Sequence, residues 1–116
     1  MAVHVVGSYR PVLHDDEFFM PQTPELKRRF EDETLRHSKK VLGAVKNSAE
    51  KAGVKCDAVT VAGDIPYEII IEQAKKAKCD LIVMASHGRR GLQGILLGSE
   101  TQKVLTHSKI SVLVCR

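Results

Sequence analysis

Tryptophan is absent from this chain of 116 residues, and two tyrosines and three phenylalanines cannot build an aromatic platform interleaved with basic residues. Nucleic acid is therefore a poor candidate partner. Cysteine is scarce too: Cys56, Cys79 and Cys115 are odd in number, widely spaced and outside any CxxC pattern, which argues against a disulfide framework, a zinc site or redox chemistry. No apolar run approaches the roughly eighteen residues of a membrane span, and "MAVHVVGSYRP" lacks the basic and apolar regions of an export signal. The expected location is the cytoplasm. Neither GxGxxG nor GxxxxGK[ST] occurs, so neither a Rossmann dinucleotide site nor a P-loop is indicated. The net charge of +4 is spread through "LKRRF", "RHSKK" and "QAKKAK", each interrupted by acids or apolar residues. It favours anionic ligands only slightly. There is no internal repeat and no low-complexity segment.

What is present suits one compact domain over residues 1–116, with 43% hydrophobic residues, enough for a single core. "AVHVV" at residues 2–6 predicts a strand running into a Gly-Ser-Pro break. Residues 10–23 follow no period and read as a surface excursion. Thr23 as N-cap and Pro24 at the first helical position open a helix, with Leu26, Phe30, Leu35, Leu42, Val45, Ala49 and Ala52 as its apolar stripe and Gly53 as its stop. A strand is expected near Lys55 to Ala62. Asp64 is expected to cap a second helix whose stripe is Ile65, Ile69, Ile70, Ala74 and Ala77. "DLIVMAS" reads as an interior parallel strand covered on both faces. A short helix from Glu100 to about Thr106 and the strand "ISVLVC" complete a β-α-β-α-β-α-β order, which implies an α/β fold: a parallel sheet with helices on both faces.

In such sheets ligands gather beyond the carboxyl ends of strands, where residues 85–99 lie. Gly88, Gly91, Gly94 and Gly98 let backbone N–H groups approach an anion and permit positive φ. Ser99 is a natural N-cap, its spacing to Gln102 suits a capping box, and the N-terminus of that helix would point at a phosphate. Thr101 adds a hydroxyl, and Arg89 and Arg90 add positive charge. The same residues also suit plain tight turns with Ser99 as an ordinary cap. Elsewhere, His14-Asp15-Asp16 suits a solvated loop better than a metal site, and Phe18-Phe19-Met20 suits loop packing or a dimer contact, with a nucleotide lid or a membrane touch as the alternative. His87 has no Ser, Cys or carboxylate partner in sequence that would make it catalytic.

The segment "VMASHGRRGLQGILLGSETQKVLTHSKISVLV" resembles the signature region of the universal stress protein family, whose nucleotide-binding members carry G-x2-G-x9-G-[ST]. Here it reads Ala85-x2-Gly88-x9-Gly98-Ser99, and "GDIPYEIIIEQAKKAKCDLIVMASHG" and "AVHVVGSYRP" resemble upstream family elements. The resemblance implies an adenine nucleotide alpha hydrolase-like domain that binds ATP with Mg2+ or Mn2+ as a stress-response sensor or regulator, with at most slow hydrolysis. By position, Gly88, Gly98, Ser99 and Thr101 would contact phosphates, Ala85 and His87 would line the loop, and the backbone near Val5 and Val6 would flank the adenine. A homodimer would form through Ile110 to Cys115. The alternative is a nucleotide-free dimerisation or interaction module of the same fold, and a phosphatase-like ATPase ranks third. In the family pattern a first strand, its ligand-contacting Asp and a first helix precede "AVHVV", and they have no counterpart before Met1. Two interior strand edges would then stand open, to be filled by an inward shift of "AVHVV", by a swapped strand, or by residues of a longer product.

Overall fold

A computed structural model describes residues 1–9, 23–86 and 97–116. Its elements run β1 (Ala2–Val6), α1 (Pro24–Lys51), β2 (Ala58–Ala62), α2 (Pro66–Lys76), β3 (Leu81–Ala85), α3 (Ser99–His107) and β4 (Ser111–Cys115). The alternating order matches the expected α/β class, and every strand pairing is parallel. The chain divides into two compact units, Met1–Asp64 and Ile65–Arg116.

In the first unit β1 pairs with β2 from Ala2↔Ala58 to Val6↔Ala62. Helix α1 starts where its sequence says it should: the Thr23 hydroxyl accepts from the Leu26 N–H at 3.3 Å, and Pro24 fills a position whose missing N–H costs nothing. It stops at a Schellman turn, with Val54 N–H donating to the Ala49 carbonyl at 2.8 Å and Gly53 N–H to that of Glu50 at 2.9 Å. Gly53 takes φ +70°, which an L side chain would resist. The expected apolar stripe is largely wet, because Leu26, Phe30, Leu35 and Val45 are exposed and only Ser38 and Leu42 are buried. Geometry explains the difference. A 28-residue helix extends about 42 Å at 1.5 Å per residue, whereas five-residue strands cover about 17 Å, so both ends of α1 overhang the sheet.

In the second unit β3 pairs with β4 from Leu81↔Ser111 to Ala85↔Cys115. Ile71 and Ala74 of α2, Val104 of α3 and Ile82 of β3 form the core, with Tyr67, Ile70, Met84, Ile110 and Val112 packed around it. The predicted α2 stripe shifts accordingly: Ile71 replaces Ile65 and Ala77, which face solvent. Asp64 does not take the N-cap position. That falls to Ile65, whose side chain makes no cap bond, and the Tyr67 N–H instead donates to Glu100 Oε2 of α3 at 3.0 Å. Helix α2 also ends in a Schellman turn, but with Lys78 at φ 52° where α1 has glycine.

Two further expectations are corrected. Among the described residues of its unit, strand β3 is covered on one face: Ile82 is 7% exposed while Val83 is 60% exposed, since both helices of this unit pack on the Ile82 face. Helix α3 begins one residue early, with Gly98 as N-cap and Ser99 inside the helix, so the Ser99–Gln102 capping box does not form. Gly98 is held by its own N–H, which donates to the Ser86 carbonyl, and it sits at φ −66° rather than at a positive angle. Among the described residues β1 pairs only with β2 and β3 only with β4, so each two-stranded sheet shows an open edge.

Candidate functional site

The carboxyl end of β1 carries Val5 and Val6, the residues expected beside a base. There they border a cleft of about 430 Å³ whose opposite wall comes from α1 through Phe30, Glu33, Thr34 and His37. Its floor is ordered by buried polar bonds. His4 Nδ1 lies 2.8 Å from the hydroxyl of Ser38, which is fully buried and also hydrogen-bonds the Thr60 hydroxyl. One side chain of α1 thus ties together the paired residues His4 and Thr60 of β1 and β2. A buried hydroxyl with two partners is a satisfied one, and losing it would remove one hydrogen bond from each neighbour. Phe30 is held from outside by Tyr9, the ring centroids 5.4 Å apart and tilted by 57°.

In the second unit the carboxyl end of β3 is tied to the start of α3. The Ser86 N–H donates to the Cys115 carbonyl at 2.6 Å, the Gly98 N–H to the Ser86 carbonyl at 2.6 Å, and the Thr101 hydroxyl to the Ala85 carbonyl at 3.0 Å. Ala85 is the last residue of an ordinary strand, so its methyl group meets no backbone strain. Thr101 is 4% exposed, and its hydroxyl proton is given to the strand. That hydroxyl bond ties the helix to the strand. With Gln102 N–H bonded to Gly98, the N–H groups of Ser99, Glu100 and Thr101 have no intrahelical acceptor, and the positive end of the helix dipole lies there. His87, Gly88, Arg89 and Arg90 lie outside the described residues, as do His14-Asp15-Asp16 and Phe18-Phe19-Met20.

Around α3 the charges are locally paired. Glu100 meets Lys103 Nζ at 2.8 Å, and that hydrogen bond raises the Lys103 pKa. The Lys103 ammonium lies 5.7 Å from the Tyr67 ring centroid, and the Tyr67 hydroxyl, bonded to Glu68, is pushed up chiefly by that bond. No group of three or more His, Cys, Asp or Glu converges on a metal position among the described residues. None of the described helices is long and apolar enough to cross a membrane.

Three features here were not read from the sequence: buried Ser38, the Glu100 cap on α2, and the α1 wall of the cleft. Ser38 had a signal, since Thr34, Ser38 and Leu42 recur every four residues and occupy the inward face. Glu100 had none, because its partner is 33 positions away in the chain.

Comparison with known proteins bears on both units. The universal stress protein family model matches residues 2–116. The universal stress protein MJ0577 of Methanocaldococcus jannaschii is 37% identical over 92 residues, covering 79% of this chain and 56% of that protein. A solved structure of MJ0577 superposes with a TM-score of 0.71 at 34% identity over 78% of this chain and 62% of that one. A universal stress protein solved in complex with cAMP gives a TM-score of 0.53 at 31% identity, over 66% of this chain and 61% of that one. The chain spans little more than half the length of these relatives. Since the family match runs through both units from β1 to β4, the chain belongs to the universal stress protein family.

Proposed function

We propose that this chain binds an adenine nucleotide, ATP first among them, and serves as a stress-response sensor or regulator rather than a fast hydrolase. The observation that carries the reading is the start of α3. Three backbone N–H groups without intrahelical acceptors stand there beside Gly98, and hydrogen bonds to Ser86 and Ala85 anchor the turn. That a relative has been solved with cAMP supports a nucleotide as the anion. In this reading the phosphates meet the Gly98 and Ser99 backbone, joined by Ala85, His87, Gly88, Arg89 and Arg90 of the same loop. Thr101 holds the helix in place, and Val5 and Val6 of the first unit offer apolar contacts to the base. Mg2+ or Mn2+ would accompany the phosphates.

The two units are proposed to act as one domain over residues 1–116 in the cytoplasm, as a homodimer through Ile110 to Cys115. The other edge of β4 supports that pairing, because among the described residues β3 is the one strand paired with β4. A second reading, an interaction module that binds no nucleotide, is favoured by the exposed apolar face of Leu81, Val83 and Leu113. Thermal unfolding with and without ATP and Mg2+ separates the two, since a ligand that binds only the folded state raises the midpoint in proportion to the logarithm of its concentration. The midpoint should climb steadily through the micromolar to millimolar range, with phosphate release slow or absent. A midpoint indifferent to millimolar ATP would leave the interaction module standing.

A further inference from the structure

We propose that the outer face of the C-terminal half of α1 docks an extended, Asp/Glu-rich segment of a partner protein. The surface lies within the first unit and does not depend on nucleotide binding.

Helix α1 is divided by charge. Residues 24–35 hold three cations against four acids, and two of those cations are answered one turn away, Arg29 by Glu25 at 2.9 Å and Lys27 by Glu31 at 3.8 Å. Residues 36–51 hold five cations, Arg36, Lys39, Lys40, Lys46 and Lys51, against the single acid Glu50, a local excess equal to the +4 of the whole chain. All five are exposed, and among the described residues none of them makes an ion pair. Packing fixes where they point. Ser38 and Leu42 are buried toward the strands, so at about 100° per residue Arg36, Lys40 and Lys51 fall within about 40° of the direction opposite Ser38, and Lys39 and Lys46 at about a right angle to it.

Gly43 lies between these two rows. A Cβ there would meet nothing within 4 Å, so no neighbour among the described residues requires glycine, and in mid-helix glycine is less favourable than alanine. What it provides is a trough where a second backbone can come close, with ammonium groups on both sides.

Size and charge select the occupant. From Arg36 to Lys51 the rows extend about 22 Å at 1.5 Å per residue, the length of about seven residues of extended chain, whose carboxylates on one side recur at about 7 Å. Such a segment ends where the cations end. A bilayer or a nucleic acid duplex runs on past them and meets Asp32 on the same side of the N-terminal half. Between the rows there is also no large apolar or aromatic side chain to enter a membrane or stack on a base. Four of the five cations are lysines, point charges on flexible stems that take carboxylates without fixed geometry. The contact is therefore one of charge complementarity, weak and sensitive to salt.

The test is fluorescence anisotropy of a labelled oligoglutamate of about eight residues titrated with the full chain, alongside a labelled DNA duplex and co-sedimentation with phosphatidylserine vesicles. The peptide should bind saturably at low salt and be released as salt rises. Lys39→Gln/Lys40→Gln/Lys46→Gln should weaken it roughly tenfold, as the loss of three exposed ion pairs implies, whereas Lys27→Gln/Arg28→Gln/Arg29→Gln, which removes the same charge from the N-terminal half, should change it less than about twofold. Gly43→Leu should raise the unfolding midpoint yet weaken binding severalfold, a combination that loss of folding cannot give. Amide NMR shifts on adding the peptide should be largest at residues 36–51. No saturable binding of the peptide, equal losses in the two triple variants, undiminished binding to Gly43→Leu, or tighter binding to the vesicles or the duplex than to the peptide would overturn the assignment.

Discussion

The two units solve the same packing problem with opposite chemistry. In the second, two short helices close an apolar core over one sheet face, and Val104 is fully buried among Ile71, Ala74 and Ile82. In the first, one long helix crosses two strands, and its fully buried centre is the Ser38 hydroxyl, bonded to His4 and Thr60. The apolar core supplies free energy without directional demands. The polar centre supplies less net free energy, but it sets the register of α1 on the strands and leaves a cleft beside the join. The unit with the apolar core holds the anchored turn at Gly98, and the unit with the polar centre holds the cleft.

That contrast can be tested from its largest effect downward. Ile82→Ala should cost about 2–5 kcal/mol through lost burial and a residual cavity, read from urea midpoints, whereas Val45→Ala on the overhang of α1 should stay within about 0.5 kcal/mol. Equal costs would mean that the second unit is not the apolar anchor. Ser38→Ala comes next, at about 1–3 kcal/mol, because it deprives His4 and Thr60 of a buried partner. A neutral result would reduce the polar centre to coincidence. The matching helix stops give the third comparison: Gly53→Ala should destabilise by about 1 kcal/mol, while Lys78→Gly, at the equivalent turn of α2, should stabilise by up to about 1 kcal/mol. The smallest effect is electrostatic. The ion pair with Lys76, 2.7 Å away, holds Glu72 below its ordinary carboxylate pKa, chiefly through the hydrogen bond. A depressed folded-state pKa stabilises above the unfolded value and is lost as pH falls through the folded one. Glu72→Gln should therefore flatten a shallow acid-side slope in thermal midpoint and leave neutral pH nearly untouched.

Local chemistry was the legible part of the fold. Thr23, Pro24 and Gly53 act through their nearest neighbours, so the limits of α1 could be read directly, and strand order followed from the alternation of apolar runs with helical periods. What escaped reading depends on distant partners. Ile65 rather than Asp64 caps α2 because Glu100 satisfies the Tyr67 N–H across to α3. Gly98 rather than Ser99 caps α3 because Ser86 and Ala85 hold that turn to the strand. The apolar run of β3 suggested cover on both faces, yet composition cannot say how many layers surround a strand, and Leu81 and Val83 face solvent. The glycines and hydroxyls of this region were visible in the sequence, but the donation of the Thr101 hydroxyl to Ala85 was not, since it joins residues 16 apart.

The most direct measurement of the central claim is calorimetric titration of the full chain with ATP, with and without Mg2+, on the parent and on Gly98→Val/Ser99→Ala. Saturable binding to the parent that is lost in the variant is the predicted result. Absence of binding to the parent, or binding indifferent to the double substitution, would contradict it.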